Sequence, residues 1–339
     1  MLATAHRAVT TASTLTDSAG KIGQVIAVVA VFLAIVLLIF LAAGRATGRI
    51  QRPLTITVFL GPAIILLLVG LVIPAVRTFI LSLHGASPKN APYVGLANYR
   101  WAFTDGAEQQ VLLNTLLWLI VAPVLATAIG LLIAVGVDRM KSQAVVKSLI
   151  FMPMAVSFVG ASIIWKFVYD YRDPSEPQSG LLSQIVIALG WNHPPNWISS
   201  HPLNNFLLMV IMIWVETGFA MVILSAAIKA IPDDVIEAAR VDGAYGFRLF
   251  RSVQIPMIRS TLVVVLTTVM IATLKIFDIV RTVTGGNFGT NTLSNDMYSK
   301  TFVEFNYGRG AALAVIIFVA VVPLLVYNIV QLRKERATR

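Results

Sequence analysis

The chain has 339 residues, of which 57% are hydrophobic and 12% are charged, and 26 Lys and Arg against 16 Asp and Glu give a net charge of +10. Soluble domains are about 45–50% apolar and about 25% charged, so this composition excludes a soluble enzyme, a disordered chain and a solvated nucleic-acid-binding protein. The absence of cysteine excludes disulfides, thiol catalysis and cysteine-ligated metals, and four scattered histidines offer little for a metal site. The surplus positive charge is expected beside membrane lipid.

Seven apolar segments follow one another along the chain. The hydrocarbon core of a bilayer is about 30 Å thick and needs about 20 mostly apolar residues of helix. Such segments occupy 22–44, 53–76, 109–137, 148–165, 203–228, 261–280 and 310–332. Because unpaired backbone cannot lie in lipid, the sequence predicts an all-α integral membrane protein with about seven transmembrane helices. The first segment is longer than the apolar part of most signal peptides and lacks a clear cleavage site, which favours an uncleaved span.

The orientation of the spans follows from Lys and Arg in the connecting loops. The loops at 45–52, 138–147, 229–260 and 333–339 hold 15 basic residues in 57 positions. The alternate set at 1–21, 77–108, 166–202 and 281–309 holds 10 in 119 positions. The denser set is predicted to be cytoplasmic, which places the N-terminus outside and the C-terminus inside. An odd number of spans requires the same arrangement.

The external loop at 170–202 contains five prolines and one apolar stretch at helical spacing, 180–190. That spacing allows a short surface helix. A turn-rich connector that only caps the bundle is the alternative, and the residues alone do not decide between them.

The cytoplasmic loop at 230–260 differs from all the others. Pro232, Asp233 and Asp234 favour a helix start, because proline fixes φ and acidic groups suit the positive end of the helix dipole. An apolar face follows at Val235, Ile236, Ala238 and Ala239. Gly243 allows a sharp stop, and a second short helix with Phe247 and Phe250 is expected to end at Pro256. Two amphipathic helices of this kind fit either a groove on another protein or an anionic lipid surface.

The same loop resembles the EAA loop of ABC-importer permeases. The family pattern of Glu-Ala-Ala, a glycine and a closing Ile-x-Leu-Pro stands here as Glu237-Ala238-Ala239, Gly243 and Val253-Gln-Ile255-Pro256. We call residues 231–256 the EAA segment. Tyr93-Val-Gly-Leu-Ala-Asn-Tyr99, Gly218-Phe219, and Phe277-Asp278 followed by Thr284-Gly-Gly286 are similar to motifs of the maltose and oligosaccharide branch of these permeases.

This resemblance covers about residues 54–331 and implies both an architecture and a set of partners. It implies a permease domain at 54–332 with six core helices, an extra N-terminal span within 1–53 and a basic tail at 333–339. It also implies a second permease subunit, a cytoplasmic ATPase dimer that the EAA segment contacts, and an extracytoplasmic solute-binding protein. The residues assigned to ATPase coupling are Glu237, Ala238, Ala239, Gly243, Ile255 and Pro256. ATP-Mg is then used by the partner, since this chain lacks a G-x-x-x-x-G-K-[ST] phosphate loop and binds no cofactor of its own.

Three ionisable residues fall inside predicted spans, where a charge costs at least about 2.5–3.5 kcal/mol and usually faces a cavity or a partner. Glu216 lies midway along the fifth span, and Lys275 and Asp278 are expected on one face of the sixth. They are interpreted either as ion pairs that join two helices, Glu216–Lys275 or Lys275–Asp278, or as part of the solute path. The predicted path residues are Glu216, Thr217, Phe219, Thr273, Lys275 and Asp278. Trp118, Trp165 and Trp214 are interpreted as packing residues.

The sequence therefore predicts a multi-pass permease subunit, without enzymatic activity, of an ATP-driven importer in a bacterial or archaeal cytoplasmic membrane. The expected solute is a sugar, in the form of an oligosaccharide or a glucoside. The alternatives are a permease for another solute and an ion-coupled secondary transporter. Secondary transporters tend to have internal repeats and broken helices, and no repeat is visible here.

Overall fold

The computed structural model describes residues 51–338 apart from 88, 89, 139, 174 and 192, and also residues 23, 30, 32, 34, 36 and 37. Within the predicted N-terminal region 1–53, the external tail at 1–21, most of the predicted first span at 22–44 and the basic linker residues 45–50 lie outside the described residues. The chain divides into two compact units, Met1–Arg77 and Thr78–Arg339. The domain boundary expected after residue 53 stays a prediction.

Within the first unit, helix α1 occupies Gln51–Leu67 and runs into a π-helical turn at Leu68–Val72. Helix α2 follows at Ile73–Ser82. The stretch Leu60–Ser82 is apolar enough to cross a membrane, with a mean hydropathy of 2.6. The span predicted at 53–76 is therefore present, but its membrane-crossing part lies about half a dozen residues further along the chain.

The second unit is built from helices, with one isolated β-bridge between His84 and Tyr93 among its described residues. In chain order the helices are α3 Ala97–Thr104, α4 Gly106–Val137, α5 Gln143–Phe151, α6 Phe158–Val168, α7 Leu181–Ala188, α8 Leu203–Lys229, α9 Asp233–Val241, α10 Gly246–Leu249, α11 Ile255–Leu274, α12 Asp278–Val283, α13 Leu293–Tyr298 and α14 Tyr307–Thr338. A 3-10 turn at Met152–Ala155 and π-helical turns at Phe250–Gln254 and Ser299–Val303 connect some of them.

Five continuous helices in the described part of the chain are long and apolar enough to cross a membrane, and a bent helix pair makes a sixth candidate. The five are Leu60–Ser82, Gly106–Val137, Leu203–Lys229, Gly246–Leu274 and Tyr307–Gln331. The all-α membrane fold predicted from the sequence is confirmed. The count of seven also includes the segment at 22–44, most of which lies outside the described residues.

The prediction of one helix at 148–165 is wrong, because the structure has two helices that meet at a sharp bend. Gln143–Ala155 and Phe158–Val168 meet at an angle of 101°. Ser157 lies between them in an extended conformation and caps α6, because its side chain accepts a hydrogen bond from the Gly160 N–H at 3.1 Å. A capping serine starts a new helix in a new direction, and Pro153 in the preceding 3-10 turn favours the interruption.

The short helix that the sequence allowed within 180–190 is present as α7. Ser183 is fully buried and accepts a hydrogen bond from the Trp197 indole at 2.8 Å. Leu181, Ile185 and Leu189 are exposed on the other side of the helix. The turn-rich connector is therefore excluded.

The core of the second unit lies between α4 and α8, which run side by side. Its largest buried cluster includes Trp118, Leu208, Met212 and Ile279. Trp118 is fully buried and its indole N–H donates to Asn205 Oδ1 at 3.4 Å, so the interpretation of Trp118 as a packing residue agrees with the structure. This packing fixes α4 against α8, the helix that carries Glu216, Thr217 and Phe219.

Side-chain amides hold a loop against the end of the bundle at which α4 and α8 begin. The Asn114 and Asn205 amides donate to the Gly289 carbonyl at 2.7 and 3.1 Å, and the Asn204 amide donates to the Phe288 carbonyl at 2.9 Å. This end is called the opposite end below. The EAA end is the one at which α4 and α8 finish and the EAA segment lies.

Candidate coupling and translocation sites

The first helix of the EAA segment begins where the sequence predicts. Pro232 precedes α9 in an extended conformation, with ψ 137°, and Asp233 and Asp234 lie in the first turn. Their carboxylates complement the positive end of the helix dipole. Residues next to one another in sequence therefore favour the start of α9 without any contact with the bundle.

Gly243 ends that helix. Its φ of +80° lies in the left-handed region, and nothing lies within 4 Å of the position that a Cβ would take. The Ala244 N–H donates to the Ala239 carbonyl at 2.9 Å and the Gly243 N–H donates to the Arg240 carbonyl at 3.0 Å. These two bonds form a Schellman motif, which satisfies carbonyls at the helix end. The predicted glycine stop is confirmed.

The residues predicted to form one apolar face of α9 lie on two sides of the helix, one packed against the bundle and one exposed. Ile236 packs against the bundle beside the buried Ile231, and Ala239 is half-buried. Val235 and Ala238 are exposed on the other side together with Glu237, and Val241 is 87% exposed. One side of α9 is thus held by this chain, and the other side is open to a partner.

The second helix of the EAA segment does not end at Pro256, so that expectation is wrong. Helicity continues from Gly246 to Leu274 through the π-helical turn at Phe250–Gln254. Pro256 lies just after that π-helical turn, where the regular i→i−4 hydrogen bonding is already interrupted, so its missing N–H does not end the helix. Ile255 is half-buried and Pro256 is exposed. Half of the EAA segment is therefore the beginning of a spanning helix.

A groove of about 560 Å³ separates α9 from the ends of the spanning helices. Apolar side chains from α4, α8 and α9 form its walls, and Asp138, Arg240, Tyr245 and Gln254 supply polar groups. Helix α9 therefore rests on the bundle through only part of its length.

The predicted placement of Lys275 and Asp278 on one helix face is wrong. Helix α11 ends at Leu274, Lys275 caps it, and Asp278 begins the separate helix α12. The Ser294 hydroxyl donates to the Leu274 carbonyl at 2.9 Å and the Thr292 hydroxyl donates to the Ile276 carbonyl at 3.3 Å. These hydroxyls, from a segment about twenty residues away, stabilise an end that no local glycine or proline marks.

Neither of the proposed ion pairs is present. Ion pairs among the described residues join Asp138 to Lys147 and Lys229, and Lys300 to Glu108 and Glu304. The side chains of Glu216, Lys275 and Asp278 form no hydrogen bond or ion pair within the described part of the chain. Glu216 and Asp278 are half-buried, whereas Lys275 is exposed. Three ionisable groups are thus available to a solute or to another chain.

Thr217, Phe219 and Thr273 lie deeper in the unit. The Thr217 hydroxyl is buried without a hydrogen-bond partner among the described residues, beside a cavity of about 450 Å³ that Trp165 and Trp214 also line. Thr273 is buried and donates to the Val269 carbonyl at 2.8 Å. Phe219 is half-buried and packs against both large core clusters. Thr217 therefore borders a cavity, whereas the Thr273 hydroxyl is already hydrogen-bonded within its own helix.

An aromatic group beside Lys275 was not expected from the sequence. Lys275, Phe277 and Tyr298 line a cavity of about 300 Å³. The Phe277 and Tyr298 rings are 5.0 Å apart, and the Arg281 guanidinium lies 4.8 Å from the centre of the Tyr298 ring. Tyr298 is too distant in sequence to give a local signal, although Phe277 stands next to the predicted Asp278. Together the rings add a stacking surface to the charged groups.

The fold and these sites are those of a membrane permease, and known proteins agree. Residues 109–339 match the family described as binding-protein-dependent transport system inner membrane component. The chain is 47% identical over 297 residues to the alpha-glucoside transport system permease AglF of Rhizobium meliloti, covering 87% of this chain and 88% of that protein. It is also 47% identical over 281 residues to the osmoprotective compounds uptake permease GgtC of Synechocystis, covering 83% of this chain and all of that protein.

A solved structure supports the fold independently. A chain of a bacterial ABC transporter involved in importing the acidic polysaccharide alginate superposes with a TM-score of 0.71 at 21% identity, covering 84% of this chain and 97% of that one. The protein belongs to the family of binding-protein-dependent transport system inner membrane components. It is the permease subunit of an ABC importer, as the sequence predicted.

Proposed function

We propose that this permease forms one half of the path for a carbohydrate, with an oligosaccharide or a glucoside as the solute. The observation that carries the proposal is the group of three ionisable side chains, Glu216, Lys275 and Asp278, without partners among the described residues. Charges at membrane depth are expensive unless they meet a partner or line a cavity. Sugar hydroxyls both donate and accept hydrogen bonds, and the apolar face of a sugar ring packs on aromatic rings such as Phe277 and Tyr298.

The relatives support the same solute class and also suggest a second one. AglF is named for alpha-glucosides, and GgtC, which is equally similar, is named for osmoprotective compounds. A small osmoprotective solute is therefore the second candidate. Uptake of labelled maltose, methyl α-glucoside and a set of osmoprotective compounds by cells that express the whole importer separates the two classes.

Coupling to ATP is assigned to the EAA segment. In this proposal Glu237, Ala238, Ala239, Gly243, Ile255 and Pro256 form the contact with a cytoplasmic ATPase dimer, which hydrolyses ATP-Mg. A second permease subunit completes the path, and an external binding protein delivers the solute. The open side of α9, with exposed Glu237 and Ala238, supports this arrangement.

The same proposal includes the membrane topology. The C-terminus and the EAA segment are cytoplasmic, the N-terminus is external, and residues 1–53 carry an added span ahead of the permease domain at 54–332. The asymmetry of basic residues supports this orientation.

The path residues are tested by neutralising them one at a time. Glu216→Gln, Lys275→Met and Asp278→Asn are expected to retain normal membrane levels but to raise the KM for uptake by about tenfold, as the loss of a charge-assisted hydrogen bond predicts. Glu304→Gln removes an exposed carboxylate, the partner of Lys300, at the opposite end and serves as the control. Unchanged uptake constants in all three variants would contradict the assignment.

A further inference from the structure

Asp138 occupies an unfavourable place for an acidic residue. It caps the C-terminal end of α4, where the helix dipole is negative and repels an anion. Its side chain is nevertheless only 12% exposed. A buried carboxylate at this end of a helix has to be stabilised by other groups.

The stabilising groups come from two other helices. Lys147 of α5 forms an ion pair with Asp138, and the Lys229 ammonium, from the last residue of α8, lies 3.6 Å from Asp138 Oδ1. The Ser225 hydroxyl of α8 donates to the same carboxylate, at 2.9 and 3.0 Å from its two oxygens. Lys229 also donates to Gln143 Oε1 of α5 at 2.6 Å. One carboxylate thus connects the ends of α4, α5 and α8.

This cluster lies directly behind the EAA segment. Three residues separate Lys229, the end of α8, from Asp233, the start of α9. Asp138 also lines the groove under α9, together with Arg240 and Tyr245. Among the described residues the bonds of the cluster stay between α4, α5 and α8, so the cluster fixes the end of α8 from which the EAA segment continues.

We infer that Asp138 is a positioning residue that locks the ends of α4, α5 and α8 into one body, so that movement of the EAA segment reaches the spans. The inference rests on the proposed ATPase contact, since it assumes that a partner moves α9. A carboxylate shared by three helices passes on a displacement of α8 that apolar contacts across an open groove would absorb.

The test uses the whole importer, with its ATPase, in detergent or lipid vesicles. Ala314 lines the cavity next to Lys275, and Ala314→Cys adds one reporter thiol to a chain without cysteine. The rate of maleimide labelling is measured with and without ATP and vanadate. With Asp138 intact, we expect nucleotide to change that rate.

In Asp138→Asn the nucleotide-dependent change is expected to fall about tenfold, which is within the range for changes in a coupling network. Bound ATPase and ATP hydrolysis should stay within about twofold, because the EAA surface is untouched.

Asp138→Glu keeps the charge and should keep most of the response. Glu304→Gln, at the opposite end, should leave the response unchanged. If Asp138→Asn fails to insert, the neutral pair Asp138→Asn with Lys147→Gln takes its place, since no charge is then left buried and unpaired.

A full labelling response in Asp138→Asn or in the neutral pair overturns the inference. So does a parallel loss of hydrolysis and response, which indicates a structural role only, or an equal loss in Asp138→Glu. The inference is also overturned if the Ala314→Cys protein with Asp138 intact is labelled at the same rate with and without nucleotide, since no movement then reaches the spans. Failure of the proposed ATPase contact is distinguishable, because the ATPase would then be absent from every purified form, including the reference.

Discussion

Lys300 is the cation that balances a group of carboxylates at the opposite end. Its ammonium lies 2.9 Å from Glu304 Oε1 and 3.5 Å from Glu108 Oε1. Burial alone would lower the pKa of Lys300, but the hydrogen bond to Glu304 and the charges of Asp296, Glu108 and Glu304 raise that pKa above its ordinary value. The raised pKa means that the stabilisation is complete below the ordinary lysine pKa, about 10.4, and is lost as the pH rises through the folded-state value.

Lys300→Met is therefore expected to destabilise the protein at neutral pH. The change leaves Glu108, which is 4% exposed, without its cation. Burial and the neighbouring Asp296 already raise the pKa of Glu108 to about 7, so protonation of Glu108 keeps the loss below the roughly 3 kcal/mol that a stranded buried charge costs. Thermal unfolding in detergent measures the loss, and Lys300→Met combined with Glu108→Gln should recover much of it. An equal loss in the single and double variants would show that Lys300 acts through packing, for example against the Trp101 ring.

Gly243 provides a second prediction at the scale of one residue. Because the space for a Cβ is open, a substitution there meets a conformational cost and no clash. Gly243→Val places a β-branched residue at positive φ, which costs at least about 1 kcal/mol. We expect normal membrane levels, loss of ATPase co-purification and little uptake. Gly243→Asn, which tolerates this conformation better, is the matched control, and equal behaviour of the two variants would exclude the backbone argument.

Single residues also show what the sequence can and cannot predict. Pro232, Asp233 and Gly243 act on their own helix, so their effects were predictable from neighbours a few positions away. Lys275 was misplaced because the end of α11 depends on the Thr292 and Ser294 hydroxyls, which approach only in the folded chain. That Glu216 and Asp278 have no partner among the described residues likewise depends on packing between helices, which no local pattern encodes.

Among the helices, close packing of α4 on α8 depends on a small residue. A Cβ added at Gly130 would lie 2.7 Å from the Ala220 Cβ and 2.8 Å from the Met221 nitrogen. Small residues allow spanning helices to approach closely, which matters in lipid because packing replaces the hydrophobic effect between helices. The position thus fixes the spacing between the helix that carries Asp138 and the helix that carries Glu216.

Gly130→Ala is expected to destabilise the protein by about 1–3 kcal/mol through overpacking. Gly136 in the same helix has nothing within 4 Å of its Cβ position, so Gly136→Ala should be neutral or slightly stabilising. Membrane level and thermal unfolding in detergent compare the two. A similar loss in both variants would point to helix flexibility as the cause.

Hydropathy located the helices well, because every backbone group in lipid must be satisfied within a helix. It could not show the 101° bend beside Ser157, since the residues on both sides of the bend are equally apolar. It also could not show that α10 and α11 form one continuous helix, because Pro256 breaks a regular α-helix and is accommodated here beside the π-helical turn at Phe250–Gln254.

For the whole molecule, the orientation in the membrane is the main open prediction. Val241 is 87% exposed in the EAA segment and Leu189 is 81% exposed after α7. We expect Leu189→Cys to react with an impermeant maleimide in intact cells and Val241→Cys to react only after the membrane is opened. Reaction of Val241→Cys from outside would reverse the topology.

The continuous helix from Gly246 to Leu274 acts as a lever. Its 29 residues span about 43 Å at a rise of 1.5 Å each, so a tilt of about 5° at its base moves its far end by roughly 4 Å. That distance is about the range of one van der Waals contact between side chains. A small rotation imposed on the Phe247 and Phe250 end is therefore enough to make or break a contact beside Lys275, without any change in the backbone between them.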